Sequence, residues 1–142
     1  MIRQLTVFLE NSEGRLAALT DCLGEAGVNM HALTISETSE YGLVRIIVDD
    51  PDKALAALEA GGFRATIARV SAIEVPNRPG GLAQLLHVLE DMGLNIEYGY
   101  CFSSDAGRAV DVFKIVGDTK NVQASIRLAE AGFKVLAQED LA

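Results

Sequence analysis

Apolar and polar residues alternate at the start of the chain and then recur at the spacing of a helix. Leu5, Val7 and Leu9 occupy every second position, which is the period of a strand with one buried face. Over 15–26, apolar side chains recur three or four positions apart, which predicts an amphipathic helix. The same reasoning gives the rest of the first half: strands over 28–38, 43–48 and 63–67, and a helix that begins at Asp50-Pro51.

The second half repeats this order, with predicted strands over 72–75, 95–102, 109–116 and 133–137 and helices over 81–92 and 121–131. No linker rich in Pro, Gly or Ser separates the two halves. The segment Asn11-Ser12-Glu13-Gly14-Arg15-Leu16 corresponds to Asn77-Arg78-Pro79-Gly80-Gly81-Leu82, 66 positions later. At the far end of each helix, Gly27-Val28-Asn29-Met30 corresponds to Gly93-Leu94-Asn95-Ile96 at the same offset. Each copy has the order β-α-β-β-α-β, the ferredoxin-like arrangement. We therefore predict an α+β protein of two βαββαβ domains, 1–68 and 69–142, with antiparallel sheets and helices on one face.

Composition narrows the classes of function. The net charge of −8 argues against nucleic acid, whose binding needs clustered Lys and Arg. No apolar run approaches the roughly 20 residues that span a bilayer, and the N-terminus lacks the continuous apolar segment of a signal peptide. Two cysteines, Cys22 and Cys101, are too few for a metal ligand set, and both are predicted to be small buried side chains. We expect a cytoplasmic protein without metal or cofactor.

The loop before the first helix of each copy has the chemistry of an anion site. Backbone N–H groups at a helix N-terminus and the helix dipole favour a carboxylate or phosphate. Gly14, Gly80 and Gly81 allow the backbone to approach a ligand closely. Asn77 and Asn95 offer donors and acceptors, which suits an amino acid with both charges. The alternative is that the asparagines cap turns and that the glycines serve positive φ angles.

The run Val75-Pro76-Asn77-Arg78-Pro79-Gly80-Gly81-Leu82, followed by a helix and Gly93-Leu94-Asn95-Ile96, resembles the ACT-domain pattern. The first copy is a weaker version, so the resemblance covers essentially the whole chain as a tandem pair. It implies regulatory domains that pair sheet edge to sheet edge and bind effectors, usually amino acids, at the interface between units. In serine-binding members, the loop Asn and the Asn after the terminal Gly of the helix contact the effector from different units. These roles transfer to Asn77 and Asn95 and, by position, to Asn11 and Asn29.

Two departures from the serine-type pattern change the expected ligand. Leu9 and Val75 stand where that pattern has a histidine, two residues before the loop Asn, so a more apolar ligand or another set of contacts is expected. Glu13 replaces the proline in the first loop, which indicates an altered or empty site there.

The predicted ligand-binding set combines both loops with the residues after both helices. His31 is included because it lies two positions beyond Asn29, on the strand that would line the interface. The set is Asn11, Glu13, Gly14, Arg15, Leu16, Asn29, Met30, His31, Asn77, Arg78, Pro79, Gly80, Gly81, Leu82, Asn95 and Ile96.

The predicted function is a homodimeric amino-acid sensor whose ligand shifts the two units and so regulates a partner enzyme or regulator. One alternative is a structural adaptor with a vestigial pocket. The other is an acylphosphatase-like hydrolase that uses Arg78 and Asn95, although the loop lacks the Gly-Val-Gln-Gly run of that family. No motif places a Ser/His/Asp or Cys/His constellation, so we do not expect an enzyme.

Overall fold

A computed structural model describes residues 1–10, 12–37, 41–104 and 106–141. Within these ranges lie six strands, four α-helices and a short 3₁₀ helix. They are β1 (Ile2–Glu10), α1 (Arg15–Glu25), β2 (Met30–Glu37), β3 (Tyr41–Val48), α2 (Pro51–Ala60), β4 (Arg64–Pro76), α3 (Gly81–Asp91), β5 (Ile96–Ser104), β6 (Arg108–Ile115), α4 (Asp118–Glu130) and η1 (Gln138–Leu141). The predicted α+β class with a repeated βαββαβ order is confirmed.

The chain forms two compact units, and the residues at each end of the chain belong to the unit formed mainly by the other half. The N-terminal unit contains Arg3–Ala68 with Leu141–Ala142, and the C-terminal unit contains Arg69–Asp140 with Met1–Ile2. The chain passes from one unit to the other inside β4, a strand of 13 residues. The predicted absence of a flexible linker follows directly from this continuous strand.

The N-terminal unit has the strand order β2-β3-β1-β4, with β3 antiparallel to both β1 and β2. Alternate residues of β1 and β3 face α1 and α2, because their period of two matches the pleat of the sheet. The resulting core contains Leu5, Val7, Leu9, Leu19, Leu23, Val28, Val44, Ile46, Val48, Ala54, Leu58 and Phe63.

The C-terminal unit repeats this plan with the order β4-β6-β5. Its core joins the helix-facing residues of β4 and β6 to α3 and α4: Ile73, Val75, Leu85, Leu89, Phe113, Ile115, Ala124 and Leu128. The predicted last strand over 133–137 is reduced to a bridge between Val135 and Ile73. The third helix, which was predicted to begin at Gly81, does begin there.

No helix in the described ranges is both long enough and apolar enough to cross a membrane. The cysteine prediction is half wrong. Cys22 is half-buried against the N-terminal core, whereas Cys101 on the edge strand β5 is exposed.

Candidate functional site

The two predicted loops have the same backbone geometry where they meet their helices. Gly14 precedes α1 with φ 84° and ψ −8°, and Gly80 precedes α3 with φ 84° and ψ −6°. This left-handed conformation favours glycine. No described side chain caps either helix, and neither first turn contains an acidic residue. The Arg15 N–H donates to the Ser12 carbonyl oxygen at 3.3 Å, and the Gly81 N–H donates to the Arg78 carbonyl oxygen at 2.9 Å. The next two N–H groups of each first turn and the helix dipole are therefore what each loop offers to an anion.

The residue after each left-handed glycine distinguishes the two loops. Gly81 is buried, and a Cβ at this position would overlap the carbonyl oxygen of Pro76. The corresponding Arg15 carries a long side chain whose Cζ lies 4.8 Å from the ring centroid of Phe63. The first loop therefore has a cation where the second has only backbone.

In the N-terminal unit, the loop meets β2 and β3 in a small cleft of about 140 Å³. Ser12, Arg15 and Leu16 contribute from the loop side, and Ile35 and Val44 contribute from the strands. The Ile35 side chain is 48% exposed, because β2 is the edge strand of this unit and the helices do not cover it fully. Glu10 also lines the cleft, which therefore combines helix N–H groups, one guanidinium, one acidic residue and an apolar wall. This combination suits a small amino acid.

The C-terminal unit has polar residues at the positions that correspond to this apolar wall. Val7 pairs with Val44, and its counterpart Ile73 pairs with Asp111, so Asp111 takes the place of Val44. By the same register, Cys101 takes the place of Ile35. Partial burial raises the pKa of the Asp111 carboxyl, and no described side chain forms an ion pair with it. The strand position of the C-terminal unit that corresponds to the cleft wall is therefore occupied by a carboxylate without an ion-pair partner among the described side chains.

The asparagines that follow the helices lie far from the loop of their own unit. Helix α3 has 11 residues, so its two ends are about 16 Å apart at 1.5 Å per residue. The backbone of Asn29 pairs with Asp49, and the Asn95 carbonyl oxygen accepts from the Val116 N–H at 3.0 Å. Both asparagines are exposed. One small ligand cannot contact both the loop and the asparagine of the same unit.

Three predicted site residues already have contacts within the fold. Met30 packs against the N-terminal core, and Ile96 packs against the C-terminal core. The His31 Nε2 donates a hydrogen bond to the Leu141 carbonyl oxygen at 2.9 Å. These residues help to hold their strands in place.

The other predicted residues lie on the outer surface of the loops. Glu13, Asn77, Arg78 and Pro79 are exposed, and Leu82 is 41% exposed. The Asn77 N–H donates to the Gly107 carbonyl oxygen at 3.3 Å, which ties the second loop to the turn before β6. Asn11 lies outside the described residues.

The sequence did not point to functional candidates that the structure places in each unit. Phe8 and Arg64 line a second cavity together with Arg15, and Asp111 faces the helices from β6. Asp111 interrupts an otherwise apolar alternation of Ala109, Phe113 and Ile115, and this signal could have identified it. Among the described residues, no group of three or more His, Cys, Asp or Glu could hold a metal ion.

We compared the chain with known protein families and with proteins of known structure. A family model described as an ACT domain pair matches residues 1–142. The chain is similar to a Bacteroides thetaiotaomicron protein of known crystal structure, with 38% identity, a TM-score of 0.90, and coverage of 99% of this chain and 94% of that chain. It also shares its fold with the ligand-free regulatory subunit of aspartate kinase from Thermus thermophilus, with 17% identity, a TM-score of 0.66 and 92% coverage of both chains. None of the curated proteins searched matches it.

Proposed function

Because the chain belongs to the family of paired ACT domains, we propose that it is a regulatory protein that binds a free amino acid at the loops before α1 and α3. Its two ACT domains are assigned to 1–68 and 69–142. The observation that carries the proposal is the shared geometry of Gly14 and Gly80, each followed by a helix that no described side chain caps. The ligand carboxylate accepts hydrogen bonds from the first-turn N–H groups, where the helix dipole also favours it.

The exposed asparagines complete the site from another domain. Asn29 and Asn95 each lie at the end of a helix opposite to the loop, so they serve the loop of a different domain or of a second copy of the chain. Their amide groups can donate to the ligand carboxylate and accept from its ammonium group. This arrangement makes ligand binding sensitive to how domains are paired, which is the requirement for a regulatory signal.

Asp111 gives the second copy of the cleft a partner for the ammonium group. Its carboxylate occupies the strand position of Val44, which lines the first cleft beside Leu16. A half-buried carboxylate without a cation gains an ion pair when an ammonium group enters. We therefore place the stronger amino-acid site in the C-terminal unit, where the carboxylate lies on the strand wall itself. The first cleft, lined by Arg15, Glu10 and an apolar wall, is altered.

The protein acts as a homodimer in this proposal. Strand β2 is an edge of the N-terminal unit, and its Leu33 and Ile35 are 40% and 48% exposed. An edge strand with apolar side chains favours pairing with a second copy. We assign the protein to the cytoplasm, where it regulates a separate enzyme or transcriptional regulator according to the level of one amino acid.

Equilibrium dialysis with each of the twenty L-amino acids tests the site, followed by substitution of the residues that hold the ligand. Asn77→Ala and Asn95→Ala should each weaken binding of the amino acid that binds best. Loss of one hydrogen bond to a charged group costs about 1.5–3 kcal/mol, or roughly ten- to a hundredfold in affinity. Gln123→Ala on the exposed surface of α4 is the control and should bind like the unchanged protein. Unchanged affinity in both asparagine variants would contradict the proposed site.

A further inference from the structure

A second cavity of the N-terminal unit, about 500 Å³, contains two arginines and two phenylalanines. We call it the arginine cavity and define it by Phe8, Glu10, Arg15, Phe63 and Arg64. It shares Arg15 and Glu10 with the small amino-acid cleft, but Phe8, Phe63 and Arg64 belong to it alone. Its volume lies in the range of small-molecule sites.

Aromatic rings hold both guanidinium groups. The Arg15 Cζ lies 4.8 Å from the Phe63 ring centroid, and the Arg64 Cζ lies 5.5 Å from the Phe8 ring centroid. Stacking on a ring uses the face of the guanidinium and leaves the N–H groups at its edge able to donate. An oxyanion can accept from such an edge through two parallel hydrogen bonds.

Neither guanidinium is neutralised by a described carboxylate. Glu10 is an acidic residue of the cavity, and it forms no ion pair with Arg15 or Arg64 among the described residues. The Arg15 Nε is buried and has no hydrogen-bond partner there. A buried donor without an acceptor costs free energy, so the Arg15 guanidinium lacks a full set of hydrogen-bond partners among the described residues.

The corresponding cavity of the C-terminal unit, about 400 Å³, has its charges paired internally. Gly132-Phe133-Lys134 repeats Gly62-Phe63-Arg64, and Glu74 stands in the place of Phe8. The Glu74 Oε1 lies 3.1 Å from the Arg108 Nη1 and 3.9 Å from the Lys134 Nζ. The C-terminal unit thus provides a matched cavity in which a carboxylate of the chain itself forms ion pairs with the cations.

We propose that the arginine cavity binds a small organic anion, whose carboxylate or phosphate group is held by Arg15 and Arg64 and whose apolar part lies along the phenyl rings. The two cavities have the same formal charge, but only in the C-terminal unit does a carboxylate pair with the cations. Phe8 in place of Glu74 leaves Arg15 and Arg64 without such ion pairs among the described residues. The cavity overlaps the first amino-acid cleft at Arg15 and Glu10, but Arg64 and Phe8 line only the arginine cavity and therefore distinguish the two ligands.

Isothermal titration calorimetry of the whole chain with phenyl phosphate, benzoate and phenol tests this proposal. The three probes share one ring and differ in the anion. We expect saturable binding of phenyl phosphate or benzoate, weaker binding in high salt, and no binding of neutral phenol. The stronger of the two anions identifies the group that the cavity recognises.

Substitutions then assign the binding to this cavity. Arg64→Gln should weaken anion binding about tenfold or more, as expected for the loss of a charged hydrogen bond. Arg64→Lys keeps the charge but loses the planar guanidinium. Its anion affinity should lie between that of the unchanged protein and that of Arg64→Gln. Lys134→Gln, at the matched position of the other unit, should leave anion binding unchanged. Melting curves verify that each variant is folded.

Three results would overturn the proposal: no saturable binding of either anion, equal binding of phenol, or unchanged anion affinity in folded Arg64→Gln. Amino-acid binding should survive Arg64→Gln, and anion binding should survive Asn77→Ala. The two sites can therefore fail independently.

Discussion

Asp111 is the single residue that most clearly separates the two copies of the cleft. It lies on the helix-facing side of β6, where its neighbours at Ala109 and Phe113 are apolar. Desolvation raises the pKa of its carboxyl above the ordinary value. The ionised form is therefore less favourable in the folded state than in the unfolded state, and Asp111 lowers the stability of the ligand-free protein at neutral pH.

Asp111→Asn should raise the melting temperature of the ligand-free protein at pH 7. The destabilisation is fully present above the folded-state pKa and disappears as the pH falls below the unfolded-state value, which is about 3.9. The difference between variant and unchanged protein should therefore shrink as the pH is lowered, which melting curves between neutral and acidic pH will measure. In the same variant, binding of the amino acid at the C-terminal site should weaken.

Asp91→Asn on the exposed surface of α3 controls for the loss of one negative charge. Two results would contradict the account of Asp111 as a carboxylate without an ion-pair partner. One is a lower melting temperature of Asp111→Asn than of the unchanged protein at pH 7, and the other is a difference in melting temperature that grows as the pH is lowered.

Gly81 fixes the second loop through close contact. A Cβ on this residue would overlap the Pro76 carbonyl oxygen, which is backbone and cannot move aside without displacing the start of α3. Gly81→Ala should lower the free energy of unfolding by about 2 kcal/mol or more, as for other overpacked positions, and denaturant titration will measure it. Gly107→Ala, where no atom lies within 4 Å of an added Cβ, is the matched control and should change stability little. Equal stability of the two variants would show that the loop is not held at Gly81.

Among the elements, α2 begins as its sequence predicts. Pro51 is its first residue, and the Asp50 carboxylate accepts a hydrogen bond from the Lys53 N–H at 3.1 Å. Asp50→Ala should lower the free energy of unfolding by about 1 kcal/mol because this cap is lost. Glu59→Ala, an exposed residue of the same helix, serves as the control in chemical denaturation. A cap variant as stable as the control would mean that α2 does not depend on Asp50.

The period of the apolar residues was enough to predict the helices and most strands, but not where the last strand ends. The Glu74 N–H donates to Lys134 O at 2.9 Å and the Leu136 N–H donates to Ala72 O at 2.8 Å, so this segment begins as a strand. The Ala137 N–H then bonds to the Asp140 Oδ2 at 2.8 Å, and the chain turns into η1. The Asp140 side chain stabilises this turn, and the alternation of apolar and polar residues does not predict such a contact.

In the candidate site, the backbone conformation of the two loops could be predicted from the sequence repeat. Glycines before the helices follow from the sequence because φ near 84° favours glycine. The arginine cavity did not follow, since the offset of 66 that aligns the loops has grown to 70 at Gly62-Phe63-Arg64 and Gly132-Phe133-Lys134. Only the fold brings Arg64 beside the first loop, where Arg15 already lies.

At the scale of the whole molecule, each unit has its own core and its own version of the loop. The two versions differ in charge: Arg15 in the first, and Asp111 with Gly81 in the second. Under the proposed function, the chain has two unequal sites and responds to one amino acid while the other loop serves a different role. A ligand that binds at either loop would stabilise the folded state, because the unfolded chain has no such site.

The most direct measurement is the melting temperature of the whole chain in the presence of each of the twenty L-amino acids in turn. A ligand at 100 times its dissociation constant should add about 2.7 kcal/mol to the free energy of unfolding. We predict that one amino acid, or a few with similar side chains, will raise the melting temperature, and that Asn77→Ala will reduce this rise by half or more. If a folded chain shows no rise with any of the twenty, it is not an amino-acid sensor, and the structural adaptor becomes the better account.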